Sequence, residues 1–206
     1  MQKPGLICIV KATMIEAKPF ISRLGLDLIA NSPFRIFANK EIMVIISGIG
    51  KANGAMATYH ACREYSPKRV LNLGAAGAVA PGMAVGDIYH ITKIVEPDRP
   101  DFRTNGPHSY APETIKGFDT AVIATQDHAV ISLEERQQVA QLAQLVDMEA
   151  AGVAQACRKF KVPCMVFKYV TDTVEAPAEE TIMENIRLCR DAAADFFQDR
   201  ILPRLM

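Results

Sequence analysis

The sequence predicts an α/β fold, with helices layered on a mostly parallel sheet. Two observations carry this. Short apolar runs of strand length recur along the chain, and stretches of helical length separate them. Gly-rich turns close two of those runs, at Gly48-Ile49-Gly50 and at Gly74-Ala75-Ala76-Gly77. With 206 residues, half of them hydrophobic, the chain can bury a sizeable core. No repeat, low-complexity stretch or linker divides it, so residues 1–206 are expected to form a single domain.

In chain order, Leu6–Val10 is a short apolar run and reads as a buried strand. Glu41–Ser47 reads the same way and stops at Gly48. A small-residue helix runs from about Lys51 to Glu64, where Ser66-Pro67 breaks it. Val70–Leu73 is a strand ending in the second glycine-rich segment, and Ile88–Val95 is a strand after the Pro81-Gly82 turn. Glu96–Gly117, rich in Pro, Asp and Arg, reads as a long loop serving as a lid or subunit contact. Ala121–Thr125 is a strand, Leu133–Leu145 a polar-faced helix and Met148–Lys161 a helix with a small-residue face. Cys164–Val170 is a buried strand, and a last helix spans about Ala178 to Arg200.

Composition excludes several classes. Basic and acidic residues number 23 each, so neither a nucleic-acid stripe nor an acidic tail is present. There is no Trp, and the aromatics form no base-stacking array. Cys8, Cys62, Cys157, Cys164 and Cys189 are odd in number and contain no CxxC, which excludes a disulfide framework and a zinc signature. Free thiols fit a reducing cytoplasm. His60, His90 and His108 show no metal spacing, so no metal is expected. Met1–Gly5 precedes an apolar run too short for a secretion signal, and no run reaches the ~20 residues of a membrane helix.

The segment Ser47–Gly54 invites a phosphate-loop reading, but the spacing fails. The third Gly is one residue late for GxGxxG, and Ala52 follows Lys51 where a Walker loop needs Ser or Thr. Glycines at a strand end still let backbone N–H groups approach a ligand at a helix N-terminus. From this motif alone, a tight turn packing helix on sheet is the favoured reading. Ligands in open α/β sheets lie at the carboxyl ends of strands, so the two Gly-rich segments are placed to flank one pocket.

Together these segments resemble a known family. Ser47-Gly48-Ile49-Gly50-Lys51, Leu73-Gly74-Ala75-Ala76-Gly77 and Pro81-Gly82-Met83-Ala84-Val85-Gly86-Asp87-Ile88 follow in the order and spacing of the purine nucleoside phosphorylase/nucleosidase superfamily. Val146–Ala154 is similar to its helix bearing a ribose-binding Met-Glu pair, and Val166–Asp172 to its strand ending in Ser/Thr-Asp. The matches run from about residue 12 to residue 173, and the nearest branch is the methylthioadenosine/S-adenosylhomocysteine nucleosidases. The resemblance implies a three-layer αβα sandwich with a central mixed, mostly parallel twisted sheet and no cofactor. It implies a homodimer or larger homo-oligomer in which a neighbour completes the 5′ pocket, with Ile49 a candidate contact. The implied activity is hydrolysis of the ribosyl–purine bond in a 5′-modified purine nucleoside, such as methylthioadenosine, adenosylhomocysteine or a futalosine.

Hydrolases and phosphorylases share this fold, and a phosphorylase holds its phosphate with arginines. The family's phosphorolytic members resemble one another in an N-terminal Arg and in an Arg two residues before the Gly-Ser turn. Here the first segment is Ala12-Thr13-Met14-Ile15-Glu16-Ala17, and Asn72 precedes the turn. Glu16 matches the position where nucleosidases place a water-activating carboxylate, and a carboxylate there repels phosphate. The resemblance accordingly gives Glu16 the general base, with a solvated surface carboxylate as the alternative.

Cleaving an N-glycosidic bond puts positive charge on the ribose and negative charge on the purine. An acid is therefore needed at the base, and ligands at the sugar hydroxyls. Asp172, next to Thr171, matches the acid toward purine N7; a loop or N-cap Asp is its alternative. A free Asp is almost wholly ionised at neutral pH, so burial beside an apolar strand end must raise its pKa or the purine must draw the proton as it departs. Glu149 matches the bidentate acceptor of the ribose hydroxyls, with Met148 packed on the sugar. The alternative for these acids is an answer to the helix macrodipole, which Asp147 fits better. Lys168 either orients one of the acids or is a strand-end charge.

Two positions depart from the nearest branch. Ala75 replaces the Ser of the Gly-Ser-Ala-Gly turn, so one hydroxyl contact beside Gly77 is missing. Gln126-Asp127-His128-Ala129-Val130 aligns with a loop that carries a Phe on the purine, and Ala129 stands at that position. Stacking on a base is worth ~1–3 kcal/mol where measured, so Phe102 or another side chain must cover the base or the substrate differs. His128 reads first as a polar loop residue. Two other functions stay open: a phosphorylase holding phosphate with Gly50, backbone amides and Arg99 or Arg103, and a nucleoside-binding protein without activity.

Overall fold

The computed structural model describes residues 5–174 and 179–206. Ten strands join in one sheet: β1 (Ile7–Lys11), β2 (Asp27–Ala30), β3 (Arg35–Ala38), β4 (Ile42–Ile46), β5 (Arg69–Ala78), β6 (Ile88–Asp101), β7 (Gly106–Tyr110), β8 (Thr120–Thr125), β9 (Leu145–Asp147) and β10 (Cys164–Asp172). Among the described residues five α-helices accompany them: α1 (Met14–Arg23), α2 (Lys51–Tyr65), α3 (Leu133–Val139), α4 (Ala150–Phe160) and α5 (Glu179–Phe196). Ala178, the expected start of the last helix, lies outside the described residues.

A period of two along the central strands sorts their side chains between two cores. Cys8, Val10, Met43, Ile45 and Val70 point to one, with Ala57 and Ala61 of α2 and Ala154 and Cys157 of α4. Ile7, Ile9, Ile42, Val44 and Leu71 point to the other, with Phe20 of α1 and Ala193 and Ala194 of α5. Strands buried on both faces read as continuous apolar runs, which is why β1, β4 and β10 were legible in the sequence. The pairings run β10-β6-β8-β9-β5-β1-β4-β3-β2, and β10 also pairs with β5, so five strands close into a ring. Parallel pairs join β1–β4, β1–β5, β5–β10, β6–β8 and β8–β9. Five antiparallel pairings match them in number, so the sheet is mixed but only half parallel.

Three element readings change. Glu96–Gly117 is not one long loop: β6 continues to Asp101 and turns back as β7. A register shift between Glu96 and Pro100 absorbs the prolines, which cannot donate to a ladder. The expected helix Leu133–Leu145 ends at Val139, because Leu145 and Val146 pair with Ile123 and Ala124 on one side and Ala78 and Gly77 on the other. Strand β5 runs through Gly74–Gly77 instead of ending there, since Lys168 to Val170 and Asp172 of β10 pair along it.

Helices α2 and α4 pack through small residues. Gly54 lies against Glu149 and Val153, and a methyl group on Gly152 would overlap the Lys51 carbonyl. That carbonyl is helix backbone and cannot swing aside. Gly152→Ala is therefore expected to cost about 1–3 kcal/mol by overpacking, lowering Tm by roughly 2–12 °C in a thermal melt. An unchanged Tm would show that the helices separate freely.

Candidate active site

The carboxyl ends of β1, β4, β5 and β10 and the starts of α1, α2 and α4 surround one pocket. Glu16, Ile49, Ala75, Gly77, Ala129, Val130, Met148, Glu149, Thr171 and Asp172 all line it, beside Ala12, Thr13 and His128. Gly50 is not among the lining residues; its N–H donates to Glu149. Ile182, Met183 and Ile186 of α5 supply an apolar wall at one side.

Glu16 reaches the pocket from the first turn of α1. Its Oε2 accepts from Thr13 N–H at 3.1 Å and Thr13 hydroxyl at 3.0 Å, while Thr13 Oγ1 accepts from Glu16 N–H at 3.3 Å. This capping box fixes the helix start and the side chain together. Oε1 accepts from Ala75 N–H at 3.1 Å and from the Tyr169 hydroxyl at 3.4 Å. Burial pushes the Tyr169 phenol far above its usual range, so it stays a donor. A Cβ on Gly74 would stand 3.1 Å from Glu16 Oε1, so the glycine makes room for this carboxylate.

Glu149 precedes α4, and its Oε1 accepts from Gly50 N–H at 3.0 Å. Gly48 and Gly50 have φ of 87° and 105°, so only glycine presents that amide without strain. Asp147 takes the capping task for α4. Its Oδ2 accepts from the N–H groups of Glu149 and Ala150 at 3.2 and 2.8 Å, and its Oδ1 from Thr125 hydroxyl at 2.6 Å. Lys168 is fully buried, with Nζ 2.7 Å from Asp147. Burial pulls its pKa down, but the carboxylates of Asp147, Glu149 and Glu16 outweigh that and hold it above the usual lysine range. Lys168 is thus an internal counter-charge rather than a strand-end surface charge.

Burial raises Glu149 from 4.5 to about 7; Lys168 opposes the shift, and Asp147 and Glu16 add to it. In the role the resemblance gives Glu149, acceptor of two hydroxyls, the carboxylate must be ionised. The kcat/KM of the free enzyme should therefore fall as pH drops through about 7. Glu149→Gln should abolish that limb, and a limb unchanged in the variant would overturn the assignment to Glu149. The folded pKa is the higher one, so stability from this group is full below 4.5 and lost as pH rises toward about 7.

Asp172 ends β10 over Gly77, where a Cβ would meet Oδ2 at 2.7 Å. Arg136 of α3 pairs with Oδ2, and the Thr171 hydroxyl lies 3.0 Å from Oδ1. His128 lines the pocket and bonds Glu135 and Gln126. Among the described lining residues it carries the only ring. Phe102 is 90% exposed at the β6–β7 turn and does not line the pocket, so it does not cover the base from within its own chain. Arg99 pairs with Glu96 and Tyr110, and neither it nor Arg103 reaches the pocket.

Sequence reasoning missed four residues here. Tyr169 and Thr13 hold Glu16. Lys11 is buried with Nζ 3.6 Å over the Phe20 ring; burial lowers it to about 7 although Glu16 opposes this. Arg136 had one available signal: it lies three residues before Val139, on the inward face of an otherwise polar helix.

A family profile described as Phosphorylase superfamily matches residues 32–129 and 118–201. The chain belongs to the phosphorylase superfamily. Among relatives in it, the 5′-methylthioadenosine/S-adenosylhomocysteine nucleosidase of Staphylococcus epidermidis is 30% identical over 171 residues, covering 71% of this chain and 75% of that protein. The aminodeoxyfutalosine nucleosidase of Helicobacter pylori is 25% identical over 230 residues, covering 98% and 99%. The fold is that of superfamily members already solved. The Arabidopsis thaliana 5′-methylthioadenosine nucleosidase superposes with TM-score 0.88 at 21% identity, covering 99% of this chain and 97% of that one. The Helicobacter pylori methylthioadenosine/S-adenosylhomocysteine nucleosidase, complexed with a pyrrolopyrimidine-bearing pyrrolidinol, gives 0.87 at 23% identity over 98% and 100%.

Proposed function

We propose that this superfamily member is an N-glycosidase that hydrolyses the ribosyl–purine bond of a 5′-modified purine nucleoside. The observation that carries the choice of water over phosphate is the floor of the pocket. Glu16 occupies it with both carboxylate oxygens anchored, and no Lys or Arg is among the described residues that line it. A phosphate dianion there would face a buried negative charge with no guanidinium to offset it. Glu16 takes a proton from the attacking water, Glu149 accepts from the ribose hydroxyls with Met148 against the sugar, and Asp172 protonates the departing purine. Lys168 orients the first two through its charge. Retention of all three carboxylates disfavours a protein that only binds nucleosides.

The apolar wall of Ile182, Met183 and Ile186 favours a 5′ group with hydrocarbon or thioether character. The relatives' substrates, methylthioadenosine, S-adenosylhomocysteine and aminodeoxyfutalosine, are the first to try. Ile49, Met56 and Tyr59 are each about half exposed at the start and outer face of α2, and Ile49 also lines the pocket, so this end of α2 is where a second copy would complete it. Among the described residues no helix is long and apolar enough to cross a membrane, and all five cysteines are free and buried, consistent with a cytoplasmic, single-domain enzyme.

The test is base release from a panel of purine nucleosides, with and without phosphate, following base and sugar by chromatography. Free base and free ribose without phosphate are expected. Release only with phosphate, as a ribose 1-phosphate, would make the protein a phosphorylase and remove the role of Glu16.

A further inference from the structure

Arg136 does not line the pocket, yet it grips a carboxylate that does. It is only 2% exposed and is the one Lys or Arg between Lys116 and Arg158. Its Nη2 bonds Asp172 Oδ2, and its Nη1 donates to the carbonyls of Ala78 at 3.0 Å and Thr173 at 3.3 Å. The guanidinium thus spans the ends of β5 and β10 from the helix that follows the His128–Ile131 wall.

On the nucleosidase reading above, we propose that Arg136 is a positioning residue that reserves Oδ1 of Asp172 for the proton handed to the departing purine. The geometry assigns that oxygen by elimination. Arginine has only donors, so the oxygen it holds cannot also carry a proton directed at it. The transferable proton therefore belongs on Oδ1. That oxygen faces the Thr171 hydroxyl at 3.0 Å, and the same hydroxyl stands 3.2 Å from the Ala76 carbonyl. One hydroxyl hydrogen cannot serve both acceptors, which gives two states. With Oδ1 protonated, Thr171 donates to Ala76 and accepts from Asp172. Once the proton has gone, the Thr171 hydrogen turns to Oδ1 and, with Arg136, stabilises the carboxylate left behind.

The step balances. The C–N bond breaks with its electron pair passing to the purine, and the Oδ1 proton goes to a purine ring nitrogen. Water gives its oxygen and one hydrogen to the ribosyl carbon and its other proton to Glu16. That proton passes to solvent, and Asp172, ionised against Arg136 at rest, takes one back when the next nucleoside binds, so one water is consumed and neutral base and ribose leave.

A role in proton delivery separates from a merely structural one by leaving group. A 4-nitrophenyl riboside departs without protonation, whereas a purine nucleoside does not. Arg136→Met and Thr171→Val should lower kcat on the purine nucleoside by at least ~10-fold more than on 4-nitrophenyl riboside, with KM nearly constant. Arg136→Lys, which keeps the charge but loses the fork, should recover part of the deficit and stands in if Arg136→Met does not fold. Equal losses on both substrates, or no loss on either, would overturn the proposal while leaving the hydrolase reading intact. A wild-type protein that hydrolyses neither substrate would sink both.

Discussion

Asp172→Asn is expected to reduce turnover of purine nucleosides by ~10²–10⁴-fold, the usual worth of a general acid. Asparagine keeps the shape over Gly77 but has no proton to give. KM should change little, since the purine is still covered by the same walls. The same variant should also lose stability, because its partner is buried. Arg136 would keep its bonds to Ala78 and Thr173 but lose its only counter-charge among the described residues. Removing one member of a buried pair costs about 3–5 kcal/mol. Activity and folding are separable by pairing the change with Arg136→Met, which removes both charges. The double variant should regain much of the lost Tm and none of the turnover. Near-normal activity in Asp172→Asn would refute the acid role, and an unchanged Tm would show that Arg136 is not anchored as described.

Glu16→Gln is the second large effect. The carboxylate accepts from Thr13 N–H, Thr13 hydroxyl, Ala75 N–H and Tyr169 hydroxyl. A glutamine offers one acceptor oxygen. If that oxygen preserves the capping box, its NH₂ faces the Ala75 N–H, donor to donor. The unpaired buried group should cost about 1–3 kcal/mol, and loss of the base should lower kcat/KM by ~10²–10⁴-fold. Azide, a nucleophile that needs no deprotonation, should restore base release in this variant and yield a ribosyl azide. Failure of azide to rescue a folded, substrate-binding variant would argue that Glu16 orients the sugar instead.

These two residues also mark how far the sequence reached. Glu16, Glu149 and Asp172 were legible because each stands at a junction of strand and helix in a motif with family spacing, and the structure brings all three to one pocket. The β6–β7 hairpin was not, because Pro97 and Pro100 suggest a loop and only the register shift against β7 explains how a strand tolerates them. Strand β9 was hidden for a related reason. Three residues between two helices carry no periodicity of their own, and they become a strand only because β5 and β8 bond them from both sides.

The sequence by itself determined the alternation of buried strands and helices, the glycine-rich segments at strand ends and the three acids. Those are local patterns of hydrophobicity and conformational freedom, written residue by residue. Only the tertiary structure decided what surrounds the acids. It places Tyr169 and Ala75 on Glu16, Lys168 between Asp147 and the other carboxylates, and Arg136 on Asp172. Such partners come from segments tens of residues apart. Burial makes a charge costly unless another charge or donor meets it, and which one does is fixed by how the chain closes rather than by any spacing along it.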